Sequence, residues 1–281
     1  MDEKVRIAGA QMEPMLLNKE GNIKKCLEWI QRAAKEGARL IVFPECALTG
    51  YMFSSLDEAL PLCESIPGPS TNKIIDVCRK LHVYIVIGLL EIDNDECYNA
   101  AALLGPEGLI GKHRKLHLPY LGIDRFLKKE SNLPLTVYNT EIGNIGMGIC
   151  YDLMFAEHSR VLALKGADLL VFPSNWPEIR RCYTDYIAPT RAIENHVFCI
   201  AVNRVGIERG TKFFGGSVIA HFDSVKGVQL TQGKPYEEDI IYADIIPAEA
   251  RRKHLVVIPG EHEVNYINDR KPQFYSRICQ E

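Results

Sequence analysis

Short apolar runs alternate with helically spaced apolar positions along the first half of the chain. Apolar runs bounded by glycine or proline are typical of buried strands, and apolar residues three and four positions apart are typical of one buried helix face. Gly105-Pro106-Glu107-Gly108 is a strong turn sequence and predicts a hairpin. The pattern predicts helices over residues 22–34 and 71–81, and strands over residues 6–11, 40–43, 83–90, 99–104 and 109–115.

The second half continues the alternation. Gly166 stands where a glycine commonly follows the end of a helix. The pattern predicts helices over residues 156–165 and 183–195, strands over residues 145–150, 169–172 and 197–203, and a final strand pair formed by residues 216–221 and 240–245.

One stretch of sequence occurs in similar form in both halves. Residues 35–45 and 164–174 each contain the end of a helix, a glycine, an apolar strand and a proline. The match is too short to establish a duplication, and chance similarity between two helix–strand units would also explain it. It favours two similar halves in one layered α/β structure. Glu45 and Ser174 would then lie at carboxyl ends of strands, the edge at which α/β sheets bind ligands.

Composition and charge narrow the class of protein. The chain has 281 residues and a formal net charge of −3, which suits one large α/β domain and gives no electrostatic footprint for nucleic acid. The longest apolar run, residues 83–90, is far shorter than the roughly 20 residues of a membrane span. The acidic N-terminus lacks the pattern of a secretory signal. We therefore expect a cytoplasmic protein that binds neither nucleic acid nor membranes.

The nine cysteines are odd in number and show no C-x-x-C spacing. A disulfide framework or a zinc site would pair or cluster them, so we expect free thiols, most of them buried as small apolar residues. Free thiols suit a reducing compartment. His113 and His117 do not make a metal site by themselves, because no third ligand has recognisable spacing.

The chain reads as one domain over residues 1–260, because no low-complexity linker interrupts it. Residues 261–281 are polar and look like an arm with little core of its own. Such an arm either frays or packs on a partner subunit.

Cys150 is the strongest candidate nucleophile. It follows an apolar strand and precedes a helix, so it would sit at a strand-to-helix elbow that lifts its side chain clear of the backbone. The helix N-terminus would favour the thiolate, with a pKa lowered from about 8.5 towards ~3.5–7.5. The backbone N–H of Tyr151 could bind an oxyanion. A buried structural cysteine is the alternative.

Two charged residues are candidates to act with this thiol. Glu45 follows a strand with no polar neighbours, so partial desolvation would raise its pKa towards the range of a general base; the alternative is a solvent-exposed strand end. Lys115 ends the predicted hairpin on the same face as His113, with Arg114 on the other face. A cation there could reach a pocket, or simply belong to a solvated basic edge.

Other residues could line the same pocket. Asn175 and Trp176 follow the second buried strand, and Tyr51 lies beyond Glu45. Trp176 could equally be a core or interface residue, and Tyr51 is similarly ambiguous.

The three candidates stand in an order that resembles the Glu–Lys–Cys signature of the nitrilase superfamily, the carbon–nitrogen hydrolases. The resemblance covers roughly residues 4–246 and is specific, because three motifs occur in order with further matches between them. The motifs are Phe43-Pro44-Glu45, Arg114-Lys115-Leu116-His117-Leu118 and Gly148-Ile149-Cys150-Tyr151-Asp152, with supporting matches at residues 8–11, 173–177, 191–195 and 214–217.

The resemblance implies a four-layer α-β-β-α sandwich and a homo-oligomer in which two sandwiches meet. It implies that Glu45 takes the thiol proton, that Cys150 attacks a carbonyl or nitrile carbon, and that Lys115 and the Tyr151 N–H stabilise the oxyanion. Water activated by Glu45 would then hydrolyse the thioester. The partner is a small-molecule substrate, and no metal or organic cofactor is implied.

Two sequence features differ from patterns common in the family, and the second bears on the substrate. Many family members carry a second glutamate shortly after the lysine, whereas here the nearby acid is Asp124, which either substitutes for it or pairs with Arg125. Tyr151-Asp152 follows the nucleophile where true nitrilases more often have Trp-Glu, which favours a small amide, an N-carbamoyl compound or an ω-amide. A nitrile-hydrolysing enzyme and a silent scaffold are the alternatives.

Overall fold

A computed structural model describes residues 3–128, 133–223 and 227–279 of the chain. The described residues form five α-helices: α1 (Lys19–Lys35), α2 (Leu56–Ala59), α3 (Pro69–Leu81), α4 (Ala156–Leu164) and α5 (Ala188–Asn195). They also form sixteen strands: β1 (Val5–Gln11), β2 (Leu40–Val42), β3 (Tyr84–Asp93), β4 (Glu96–Gly105), β5 (Gly108–Arg114), β6 (Val137–Thr140), β7 (Gly143–Met147), β8 (Leu169–Ser174), β9 (Phe198–Asn203), β10 (Val205–Glu208), β11 (Thr211–Phe214), β12 (Val218–Asp223), β13 (Gly227–Gln232), β14 (Asp239–Ile245), β15 (His254–Ile258) and β16 (His262–Asn265).

Twelve of these strands form two sheets with the same internal arrangement. The strand order is β14-β1-β2-β3-β4-β5 in the first sheet and β6-β7-β8-β9-β12-β13 in the second. In each sheet the second, third and fourth strands are parallel to one another, and the remaining neighbours are antiparallel. The parallel strands are joined by helical crossovers, as parallel pairing requires.

The sheets stack face to face between two layers of helices. Leu40 and Val42 point towards the second sheet and share a core with Val171, whereas Ile41 points the other way and packs with Ile30 of α1. Burying each such side chain contributes roughly 1.5–3 kcal/mol. The predicted α-β-β-α sandwich is confirmed.

The two similar stretches of sequence occupy equivalent places in the two halves. Residues 35–45 include β2 and residues 164–174 include β8, and each of these is the third strand of its sheet. Their carboxyl ends meet directly, because the Asn175 side-chain amide donates to the Glu45 carbonyl oxygen at 2.9 Å. The prediction of two similar halves is confirmed, and their meeting point is where the candidate site lies.

The predicted final strand pair is wrong. β14 pairs with β1 at the edge of the first sheet, whereas β12 lies in the second sheet between β9 and β13. Strand periodicity reports which residues face the core but not which distant strand supplies the hydrogen bonds. The predicted strand over 145–150 also ends early, at Met147, and the predicted helix over 183–195 begins with a π-helical turn over Tyr183–Ile187.

The C-terminal residues lie on the surface. The predicted domain boundary at residue 260 falls in the turn between β15 and β16, and beyond it Phe274 and Ile278 are 77% and 59% exposed. The arm, its packing on a partner subunit and the homo-oligomer stay predictions; residues 280 and 281 lie outside the described residues. No helix within the described ranges is long and apolar enough to cross a membrane.

Candidate active site

Glu45 is held by a sharp turn at the end of β2. The next residue, Cys46, has a φ of 48°, which reverses the chain immediately after the carboxylate. Gly88 in β3 makes room for this turn, because a Cβ there would lie 2.6 Å from the Glu45 Cα. Glu45 is fully buried, so the alternative of a solvent-exposed strand end is wrong.

Lys115 follows the last residue of β5 and points into the interior. Its Nζ lies 2.6 Å from Oε1 of Glu45 and 2.5 Å from Oδ2 of Asp124, and all three side chains are buried. The alternative of a solvated basic edge is therefore wrong for Lys115. His113 lies on the same side and Arg114 turns away to pair with Glu91, as the strand alternation predicts.

Asp124 occupies the place of a second acid beside the lysine. It lies on a short 3-10 helix over Gly122–Arg125, which brings the shorter side chain close enough to contact Lys115. The Tyr51 hydroxyl donates to Asp124 Oδ2 at 2.8 Å. Arg125 instead donates to the carbonyl oxygens of Gly122 and Phe53, so the suggested Asp124–Arg125 pair does not form.

Cys150 lies at the predicted elbow. Its φ is 50°, a left-handed conformation that costs a non-glycine residue of order 1–3 kcal/mol, and a 3-10 helix over Cys150–Met154 begins there. Gly148 is needed just before the elbow, because a Cβ at that position would lie 2.4 Å from the Phe172 ring. Cys150 is 4% exposed and borders the pocket described below.

Asp152 ties the elbow to the segment that carries Lys115. Its Oδ2 accepts from the Ile149 N–H at 2.9 Å and from His113 Nε2 at 3.0 Å, and its Oδ1 accepts from the backbone N–H and Nδ1 of His117. Burial opposes its ionisation, but the hydrogen bonds from His113 and His117 outweigh it and hold the Asp152 pKa below its usual range. The two histidines that flank Lys115 thus fix its strand against the elbow.

His158 completes a buried cluster with two of these residues. Ligand atoms of His113, Asp152 and His158 lie within 4.8 Å of one another, a grouping that sequence spacing did not reveal. Burial lowers the His158 pKa to about 4, so its ring is neutral at pH 7. Since Asp152 Oδ2 already accepts two hydrogen bonds, we interpret the cluster as a scaffold for the elbow, and the absence of a metal site stays a prediction.

The expectation of a resting thiolate at Cys150 is wrong. Burial and the negative charge of Glu45 raise the Cys150 pKa well above its usual value, against the opposing effects of Lys115 and the Asn175 backbone N–H. Burial also raises the Glu45 pKa, although Lys115 lowers it. Burial disfavours the charge on Lys115, but Asp124 and the other acidic groups raise its pKa well above the usual value. The resting thiol therefore keeps its proton beside a carboxylate and an ammonium group.

A cavity of about 450 Å³ opens onto Cys150. Its size is that of a small-molecule site. Four further residues singled out in the sequence analysis, Tyr51, Tyr151, Asn175 and Trp176, line the cavity. Asp124 does not line it but accepts a hydrogen bond from the Tyr51 hydroxyl. Trp176 packs edge-on against Tyr183, with ring centroids 5.6 Å apart.

A family model described as carbon–nitrogen hydrolase matches residues 6–254. The chain belongs to this family. A Pyrococcus abyssi protein named nitrilase is 38% identical over 97% of this hydrolase and 100% of its own length. An omega-amidase of Xenopus tropicalis is 30% identical over 90% of the chain and 94% of its own length. A solved carbon–nitrogen hydrolase from Helicobacter pylori shares the fold, with a TM-score of 0.85 at 22% identity over 99% of both chains.

Sequence reasoning missed Asn99 of this carbon–nitrogen hydrolase. Its side-chain amide nitrogen donates to Oε1 of Glu45 at 2.6 Å and to Oδ1 of Asp124 at 2.8 Å, and its backbone carbonyl oxygen accepts from the Lys115 N–H at 2.8 Å, so it joins the two carboxylates beside Lys115. A polar residue just before the apolar run of residues 100–104 was the available signal. Without the structure, however, an asparagine at this position is indistinguishable from the polar first residue of an ordinary strand.

A buried ion pair that holds the Tyr51 loop was also missed. Glu208 Oε1 accepts from the backbone N–H groups of Tyr51 and Met52 at 2.7 and 2.6 Å, and its other oxygen is hydrogen-bonded to Arg204. Glu208 ends β10, 157 residues away from Tyr51 in sequence. No local pattern connects these residues, because the contact forms only when the β10–β11 hairpin folds over the loop.

Proposed function

We propose that this carbon–nitrogen hydrolase cleaves small linear amides through a thioester on Cys150. The observation that carries the proposal is that the paired charges of Glu45 and Lys115 act on Cys150, which borders a cavity of about 450 Å³. A thiol nucleophile, a buried carboxylate with a raised pKa as its base and a fixed cation for the oxyanion are together sufficient for acyl transfer by a cysteine.

In the first half-reaction, Glu45 accepts the Cys150 proton while the sulfur attacks the amide carbon. Oε2 of Glu45 is available for this proton, because no side chain or backbone group in the described ranges makes a standard hydrogen bond to it. The ammonium of Lys115, together with the Tyr151 N–H, stabilises the oxyanion. Glu45 then passes the proton to the leaving nitrogen, and ammonia or an amine departs.

In the second half-reaction, Glu45 takes a proton from water, which attacks the thioester carbon. The carbon–sulfur bond breaks, the carboxylic acid leaves, and the proton returns to the Cys150 sulfur. The net change is one amide and one water converted to one acid and one ammonia or amine. Lys115 stays charged throughout, because Asp124 raises the Lys115 pKa against the effect of burial even while Glu45 holds a proton.

Two hydrogen-bond acceptors favour an amide over a nitrile. Among the described residues, Asn175 Oδ1 is buried without a hydrogen-bond partner and lines the cavity. Glu45 Oε2 is buried with only the Cys150 thiol, within the described ranges, to interact with. An unpaired buried polar atom costs about 1–3 kcal/mol. The NH₂ group of an amide brings two donors to such acceptors, whereas a nitrile nitrogen brings none.

Nitrile hydrolysis is the second candidate, because the Pyrococcus abyssi relative at 38% identity bears the name nitrilase.

We expect the purified chain to release ammonia at least about 10-fold faster, as kcat/KM, from the amide than from the nitrile of the same carboxylic acid. An advantage of this size corresponds to one well-made hydrogen bond. Ammonia would be measured over a concentration series of each compound. A faster nitrile reaction would reverse the order of the two candidates, and release from neither would favour the silent scaffold.

Arg180 favours amides that carry a carboxylate at their far end. It lines the cavity with its guanidinium carbon 5.8 Å from the centroid of the Tyr183 ring, on the exposed side of the site. A carboxylate on an ω-amide or an N-carbamoyl amino acid could pair with it. The omega-amidase name of the Xenopus tropicalis relative fits this substrate class.

We expect Arg180→Gln to raise KM about 5-fold for the monoamide of a dicarboxylic acid and to leave the neutral amide of equal length unchanged. The size follows from a partly exposed ion pair worth up to about 1 kcal/mol. Steady-state kinetics on the two amides would check it. Arg181→Gln is the matched control, since Arg181 lies outside the cavity lining and pairs with Asp185. Equal changes for both amides would contradict a role in binding the carboxylate.

A further inference from the structure

Two cysteines that are far apart in sequence meet beside the wall of the site. The sulfur atoms of Cys63 and Cys97 lie 2.9 Å apart, although 34 positions separate the residues. The sequence analysis treated most cysteines as isolated buried residues and did not foresee this pair. A disulfide bond is about 2.05 Å long, so the two sulfurs need to approach by roughly 0.9 Å to bond.

The two thiols differ in the way that a reactive and a resolving cysteine differ. Cys63 is half-buried and reachable from solvent, whereas Cys97 is 3% exposed. The hydrogen bond from Cys97 and the nearby Lys19 ammonium lower the Cys63 pKa against the effect of burial. The same shared hydrogen bond, with burial, raises the Cys97 pKa. Cys63 is therefore the sulfur that more readily becomes a thiolate.

The position of the pair connects it to the catalytic side of the fold. Cys97 is near the start of β4, two residues before Asn99, so both side chains project from the same face of the strand. Cys97 packs in one apolar cluster with Tyr51 and Ile123, and its carbonyl oxygen accepts from the Lys128 N–H. Cys63 packs against the same cluster from the segment that follows α2.

We propose that Cys63 and Cys97 form a redox site at which a hydroperoxide converts the two thiols into a disulfide that staples this wall of the pocket. The Cys63 thiolate attacks one peroxide oxygen, the O–O bond breaks, and hydroxide leaves; it takes up the proton that the Cys63 thiol released, so the products are a sulfenic acid on Cys63 and one water. The Cys97 sulfur then attacks the Cys63 sulfur and displaces a second water. Two electrons leave the sulfurs and reduce one hydrogen peroxide to two waters.

The bond would join the segment after α2 to the start of β4 and close a loop of about 35 residues. Cross-linking residues this far apart reduces the conformational freedom of the unfolded chain. We therefore expect oxidation to raise the melting temperature by about 5 °C or more. This expectation is independent of the substrate, because it concerns the fold and not turnover.

Peptide mapping tests the linkage directly. The full-length Cys150→Ala chain would be treated with hydrogen peroxide, its remaining thiols alkylated, and the product cut after glutamate without reduction. Cleavage after Glu58, Glu64, Glu96 and Glu107 yields residues 59–64 and 97–107, each with one cysteine. We expect these two peptides as one cross-linked species that separates on reduction. Their recovery only as singly alkylated or over-oxidised peptides would overturn the proposal.

Thermal unfolding with and without peroxide tests whether the disulfide stabilises the fold, in the same Cys150→Ala background. We expect the rise in melting temperature to disappear in Cys63→Ser and in Cys97→Ser, and to persist in Cys182→Ser, which removes an exposed thiol elsewhere. If the buried Cys97→Ser change prevents folding, the half-buried Cys63→Ser variant still decides the question. An equal rise in Cys63→Ser, or no rise in the parent despite the cross-link, would contradict the stapling.

Discussion

We expect Cys150→Ala to release ammonia from amides at least about 10⁴-fold more slowly than the parent chain, with substrate binding retained. The methyl group cannot form the thioester, so neither half-reaction proceeds by the proposed route, and losses of this order are typical when a covalent nucleophile is removed. The measurement is kcat under saturating amide, with binding followed by calorimetry on the variant.

A matched variant separates this effect from general damage to a buried cysteine. Cys199 is fully buried in β9 and lies outside the cavity lining, so Cys199→Ala removes the same sulfur from the core without touching the site. We expect its kcat to stay within a factor of two or so of the parent, with only a modest loss of stability. Turnover that survives in Cys150→Ala, or is lost equally in both variants, would refute the assignment of Cys150 as the nucleophile.

The second large effect is expected from Lys115→Met, which should abolish turnover and also destabilise the fold. Lys115 is the buried cation between Glu45 and Asp124, and its removal leaves two adjacent buried carboxylates without their partner. Breaking a buried ion pair in this way costs about 3–5 kcal/mol. Chemical denaturation at pH 7 would measure the loss of stability.

The pH dependence of that loss has a definite sign. Burial and Asp124 already raise the Glu45 pKa, and without Lys115, which lowers it, the folded-state pKa rises further above the unfolded value. The folded variant then binds more protons than the unfolded chain, so its stability increases as the pH falls. We expect the difference in unfolding free energy between Lys115→Met and the parent to shrink between neutral pH and about pH 5.

Lys112→Met is the control for this experiment. Lys112 lies three residues before Lys115, within β5, and pairs with Glu91, but Glu91 keeps Arg114 as a partner after the change. We expect a cost of about 1 kcal/mol or less, no trend towards acid pH and normal turnover. A Lys115→Met chain as stable as Lys112→Met at pH 7 would show that the two carboxylates do not depend on the buried cation.

The elements and the candidate triad were accessible from sequence because both depend on local patterns. Apolar periodicity placed α1, α3 and the central strands close to their observed bounds. Glu45 and Cys150 each stand directly after an apolar run, and such positions fall at the carboxyl edge of a parallel sheet wherever the strands finally pair. Lys115 was assigned to the triad from the order of the three motifs.

Residues that contact the candidate triad from distant parts of the chain could not be predicted from local patterns. Asn99 reads locally as the start of a strand, yet it bonds Glu45 and Asp124. The sequence left open whether Asp124 contacts Lys115. Aspartate is one methylene shorter than the glutamate of many family members, and it reaches Lys115 only because the 3-10 helix brings its backbone closer. Strand pairing failed at β12 and β14 for a related reason, since the alternation of each strand fits either sheet.

The sequence by itself determined the family, the layered α/β architecture and the three side chains proposed to act together, because turn chemistry, periodicity and motif order are properties of neighbouring residues. Only the tertiary structure decided that Cys150 rests as a thiol, that Asp124 stands beside Lys115 and that Cys63 meets Cys97. A pKa or a contact depends on the charges, burial and distances that folding creates between remote segments, and these quantities have no local signature in the chain.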